Sequence, residues 1–118
     1  MSLSIDRSSV TRLQKEINDL QRKQADEMRK VAQATKNMNS ALASASRASS
    51  SSMAKSYMGT ADREAKNIEA AQDKAARFGA DISRKMSDLT QAQERVFNGE
   101  ERQRKDQAAV YEKQRKID

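Results

Sequence analysis

Counting from Val10 in alternating steps of three and four reaches Val10, Leu13, Ile17, Leu20, Gln24, Glu27, Val31, Ala34, Met38, Ala41 and Ala45, and only Gln24 and Glu27 are polar. The residues between are mostly polar or charged. This is a heptad seam, with β-branched Val10, Ile17 and Val31 at one core position and Leu13 and Leu20 at the other. A second seam of the same spacing runs from Ala54 through Tyr57, Ala61, Glu64, Ile68, Ala71, Ala75, Phe78, Ile82, Lys85, Leu89 and Ala92 to Val96. Met28 and Leu42 flank the first seam and Met86 the second, so the apolar face is wider than a strict two-stranded stripe. Gln24 and Glu27 either specify register or mark a place where the seam meets water.

The two seams are out of phase. Extending the first puts core positions at 45 and 52, whereas the second has them at 54 and 61. That slip of two residues matches neither insertion that a continuous coiled coil absorbs. The break falls in the run Arg47–Met53, where four consecutive serines cost a helix roughly 2 kcal/mol relative to alanine and compete for backbone partners. A single offset also superposes Ile17, Gln21, Lys23, Ala25, Val31 and Met38 on Ile68, Gln72, Lys74, Ala76, Ile82 and Leu89. This reads as two similar helices, although biased composition produces such likeness too.

The pattern predicts an all-α chain, with helices over about 7–47 and 53–97 and a serine-rich turn over about 48–53. Matched lengths favour two antiparallel helices in a coiled-coil hairpin. Asp6 is the expected N-cap of the first helix, with Ile5 and Val10 as a hydrophobic staple. Asn98-Gly99 is the expected stop of the second, with Glu100 and Glu101 opening a following turn. Residues 98–118 then form a charged helical connector into further sequence.

Composition narrows the function. The chain has 118 residues, 36% hydrophobic and 34% charged, with aromatics at 3% and no proline. Alanine supplies much of the apolar count and buries little area, which suits long helices sharing a narrow seam rather than a large core. Cysteine and histidine are both absent, which removes thiolate metal sites, the commonest general base and any Ser-His-Asp arrangement. Gly59, Gly79 and Gly99 are isolated, so no phosphate loop is present. No catalytic constellation, cofactor or metal is expected. No apolar run approaches the ~20 residues that cross a bilayer, and the N-terminus lacks a signal peptide's apolar stretch, so a cytoplasmic location is expected.

The net charge of +6 raises nucleic acid as a partner, but acidic residues are interleaved with the cations and stacking aromatics are few. A basic hairpin binding nucleic acid non-specifically is therefore the alternative reading. Membrane contact is disfavoured, because no face pairs a bulky apolar stripe with an unbroken basic one. The preferred reading is a homo-oligomer. Its interaction seam is Val10, Leu13, Ile17, Leu20, Val31, Met38, Ile68, Phe78, Ile82, Leu89 and Val96. Flanking Met28, Leu42 and Met86 remain to be covered when two hairpins pair as a four-helix assembly.

Residues 4–30, SIDRSSVTRLQKEINDLQRKQADEMRK, resemble the N-terminal helical region found ahead of a C-terminal TIR domain in a set of bacterial proteins. Those share a Ser-Ile-x-x-Ser start, here Ser4 to Ser8, and a Leu-x-Lys-Glu-Ile/Leu-x-x-Leu helix, here Leu13 to Leu20. A Ser/Thr-rich interruption and a second helix follow. The resemblance covers residues 4–97 in layout and 4–30 in wording. It implies a self-associating, scaffolding segment that oligomerises an effector, in that family an NAD-cleaving or signalling TIR module; none of that module's catalytic residues maps onto this chain. The absence of tryptophan separates the chain from hairpin secretion substrates built on a Trp-x-Gly turn.

Overall fold

A computed structural model describes residues 2–117. Two helices account for nearly all of them: α1 (Leu3–Ser46) and α2 (Ser51–Ile117), with no strand among the described residues. Only residues 47–50 separate the helices, a length usual for antiparallel helix pairs, and the contact of Gln24 with Ala75 shows that the chain reverses there. The molecule divides into two compact units, one of residues 19–82 and one of residues 1–18 with 83–118.

The unit of residues 19–82 contains the turn. α1 ends by tightening, as Arg47 N and Ala48 N donate to the carbonyls of Ser44 and Ala45 at 3.2 and 3.3 Å, a three-residue spacing typical of helix ends. α2 then starts under a serine cap: Ser50 Oγ accepts from Met53 N at 3.2 Å, and Ala54 N donates to Ser50 O at 3.0 Å. No described residue has a positive φ, so the reversal needs neither glycine nor a left-handed residue. The break is shorter than expected because Ser51 and Ser52 enter the first turn of α2. Within this unit Ala34, Ala41, Ala61, Ala71, Ala75 and Ile82 are buried, while Leu20, Val31, Met38, Ile68 and Phe78 are half-buried. Alanine at the closest approach lets the backbones come near, and the larger side chains wrap the edges.

In the unit of residues 1–18 and 83–118 the buried apolar residues are Leu13, Ile17 and Ala92, flanked by half-buried Val10, Leu89 and Val96. Asp6 meets Arg95 and Glu16 meets Lys85, so α1 and α2 run antiparallel here. Two expectations are corrected in this unit. α1 begins at Leu3, not at a cap on Asp6: Asp6 N donates to Ser2 O at 3.1 Å, inside the helix. Its side chain is buried against Arg95 Nε at 3.4 Å, and Ile5 is exposed rather than stapled to Val10. The tertiary ion pair outweighs the local cap. Asn98-Gly99 likewise does not end α2, which continues to Ile117. Gly99 takes the next seam position after Val96, and a Cβ there would lie 2.9 Å from Leu3 Cδ1. Its small size serves packing against Leu3, so over residues 98–117 the expected connector is instead the continuation of α2, residue 118 lying outside the described residues.

Candidate interaction surface

A seam of alternating threes and fours leaves each helix two flanks, because four-residue steps from the core lean to one side and three-residue steps to the other. In an antiparallel pair the corresponding flanks of the two helices share one side. The two sides that result differ sharply in chemistry.

One side is polar and ion-paired. In the unit of residues 19–82 it forms a shallow groove lined by Glu27, Lys30, Gln33 and Asn37 of α1 and Glu64, Asn67 and Lys74 of α2. Glu27 is buried, and its Oε1 lies 3.1 Å from Lys30 Nζ. The arrangement answers the question of the polar seam positions in two ways. Glu27 faces this groove with a cation of its own helix, whereas Gln24 Nε2 donates across the pair to Ala75 O at 3.2 Å. Gln24 also stands where a Cβ on Gly79 would meet its amide at 3.0 Å. That cross-helix bond ties Gln24 to one register.

In the other unit the polar side holds the Glu16–Lys85 ion pair, while Arg7 and Glu100 pair at 3.4 Å on the opposite side. Glu16 Oε2, shielded from solvent, lies 2.7 Å from Lys85 Nζ, and Oε1 lies 3.0 Å from Arg12 Nη1. The Lys85 contact first and the Arg12 contact second hold the Glu16 carboxyl below its ordinary value. Lys85, an interruption of the second seam by sequence, is thus the partner of a carboxylate on the facing helix. Among the described residues no three His, Cys, Asp or Glu side chains converge to hold a metal ion.

The opposite side carries no charge on α1 from Thr11 to Ser46 and scattered charges on α2. Along α1 the residues on this flank in the unit of residues 19–82 are Gln21, Ala25, Met28, Ala32, Thr35, Asn39, Leu42 and Ser46. On α2 the same flank has Met58, Ala65, Gln72, Ala76 and Gly79, with Lys55, Asp62 and Glu69 interspersed nearer the turn. In the register set by Gln24 over Ala75, Met28 lies level with Gln72 and Leu42 with Met58. In the other unit the flank comprises Arg7, Thr11, Gln14 and Asn18 on α1 and Ser83, Met86, Thr90, Gln93, Phe97 and Glu100 on α2, with Arg7 paired to Glu100 at its end. Met28 is 59% exposed, Leu42 40%, Met58 44%, Met86 49% and Phe97 63%. The seam residues, by contrast, are buried or half-buried between the helices.

Apolar spacing alone points to Met28, Leu42 and Met86 but passes over Met58 and Phe97, and over the small uncharged residues between them. The signal that finds them is a missing charge. In a chain of which a third is charged, one flank of α1 holds none from Thr11 to Ser46. No family model, curated protein or solved structure matches the chain.

Proposed function

We propose that this protein is a self-association module in which two hairpins bury their uncharged sides against each other as a four-helix assembly. The observation that carries the reading is the uncharged flank itself, with Met28, Leu42, Met58 and Met86 standing exposed from it among alanines and small polar residues. Bulky side chains spaced by alanines form knobs and recesses of the kind that mate helix pairs. Two copies related by a two-fold axis present the same patch to each other, so a side dense in charge would have to bury its ionic groups at a desolvation cost. The α1 flank, uncharged from Thr11 to Ser46, meets a second copy without that cost.

The area suffices. In the unit of residues 19–82 the flank of α1 runs for about 37 Å at 1.5 Å per residue, and two helices side by side are about 20 Å wide. The patch is then roughly 750 Å², close to the ~800 Å² per partner of a standard stable interface. The resemblance of residues 4–30 to the region ahead of TIR domains supports extending this reading to a scaffold that holds effector domains close together.

Light scattering tests the proposal. Wild-type protein is expected to elute as a dimer or higher species at about 50 µM, within reach of a standard-size interface. Met28→Glu with Leu42→Glu is expected to give monomer with unchanged helicity by circular dichroism, since both side chains are already exposed. Monomeric wild-type protein, or an oligomer that survives both substitutions, contradicts the proposal.

A further inference from the structure

The last part of α2 points to a second binding surface, independent of self-association. Residues 102–117 hold six Lys and Arg against two Asp and Glu, a net of +4 out of the chain's +6. Every one of them is exposed. Elsewhere on the helices many cations are neutralised three or four residues away, as in Arg12–Glu16, Arg22–Asp19, Arg29–Asp26 and Lys30–Glu27. Two cations of this segment are engaged the same way, Arg104 with Glu101 at 2.8 Å and Arg115 with Glu112 at 3.5 Å.

Arg102, Lys105, Lys113 and Lys116 make no ion pair among the described residues, and their spacing is not random. Steps of 3, 8 and 3 residues put all four within less than a quarter of the helix circumference at 100° per residue. Ala109 lies at the middle of that stripe. Two cation pairs therefore flank a small residue, with pair centres about 16 Å apart at 1.5 Å per residue.

We propose that this stripe is a binding surface for the phosphate backbone of duplex DNA. A helix fits the major groove of B-form DNA, about 12 Å wide, with phosphates on both rims. Cation pairs about 16 Å apart along the axis suit a helix laid across the groove with one pair at each rim, and Ala109 between them keeps bulk off the groove. The stripe carries no Asn, Gln, Asp or Glu to read a base edge, and with its four cations at the phosphate rims the contact is sequence-independent. An anionic bilayer is the weaker match. A helix lying in a membrane surface needs a broad apolar face opposite its cations, and here the residues opposite are Arg104, Gln107, Tyr111, Gln114 and Arg115.

The test is fluorescence anisotropy of the full chain with a labelled 20-base-pair duplex, in two unrelated sequences. Four phosphate contacts predict a fall in affinity of about a hundredfold between 50 and 200 mM salt, alike for both sequences. Neutralising the stripe (R102Q, K105Q, K113Q and K116Q together) is expected to weaken binding about tenfold or more at 50 mM salt. The control removes the same charge from α1 (K15Q, R22Q, R29Q and K36Q) and is expected to leave most of the affinity in place. Circular dichroism checks that both variants stay helical. Absence of duplex binding at 50 mM salt, equal loss in both variants, or binding to phosphatidylserine vesicles in preference to the duplex overturns the proposal.

Discussion

Residues 83–100 and 102–117 belong to the same helix, yet they are held in different ways. The first stretch lies against α1, with Ala92 fully buried, Arg95 on Asp6, Lys85 on Glu16 and Gly99 under Leu3. The second is exposed on every side and shows no pairing beyond its own turns, such as Glu112 with Arg115. The first stretch includes the weaker helix formers Ser83, Ser87, Thr90, Asn98 and Gly99, whereas Gln, Arg, Lys and Ala dominate the second, so intrinsic propensity does not explain why the first is the packed one. What differs is the tertiary partner. The comparison separates the residues that hold the hairpin together from those left free to meet something else.

Substitution of a seam residue should expose the largest difference. Ile17→Asp places an unpaired carboxylate in a position only 5% exposed and is expected to cost about 3–5 kcal/mol, enough to unfold much of the helix pairing. Val110→Asp, at 56% exposure, is expected to change stability by less than about 0.5 kcal/mol. Urea denaturation followed by circular dichroism measures both. Similar losses at the two sites would mean that residues 102–117 are held by a packing partner after all.

A smaller difference is expected from acid. The Glu16 carboxyl is held below its ordinary value by Lys85 and then Arg12. Its contribution to stability is therefore present above the ordinary glutamate range and is lost as pH falls through the lowered value. Glu16→Gln should flatten the acid side of the stability profile, and added salt should reduce the effect because the pair is partly exposed. Glu112→Gln, whose partner is a near neighbour on an exposed helix, should change stability at neutral pH by no more than about 0.5 kcal/mol. An acid limb unchanged by Glu16→Gln would remove the Glu16–Lys85 contact from the account of how α1 is held to α2.

Much of this organisation is legible in the sequence, for a physical reason. Val10, Leu13, Ile17 and Leu20 repeat at heptad spacing, and only a helix places that repeat on one face. The phase slip at the serines follows from the same geometry, since a slip of two residues cannot be absorbed by winding. Asp6 and Asn98-Gly99 mislead because their local signals are real but outcompeted. A buried Arg95 contact takes the carboxylate of the would-be cap, and Leu3 occupies the space above the would-be terminating glycine. Such partners lie some ninety residues away in sequence and leave no local trace. The uncharged flank is a third case. It is fully written in the residues, but as an absence of charge at two heptad positions, which a search for apolar spacing does not register.

Surface protection of that flank is the most direct test of the proposed assembly, and the chain's lack of cysteine makes it clean. Single cysteines at Ala32, on the uncharged side of α1, and at Lys36, on its outward face, can be alkylated with a maleimide over a range of protein concentrations. Self-association through the uncharged side predicts that the thiol at position 32 reacts progressively more slowly as concentration rises, while the thiol at position 36 keeps its rate. Equal rates at all concentrations, or protection at position 36 instead, would contradict it.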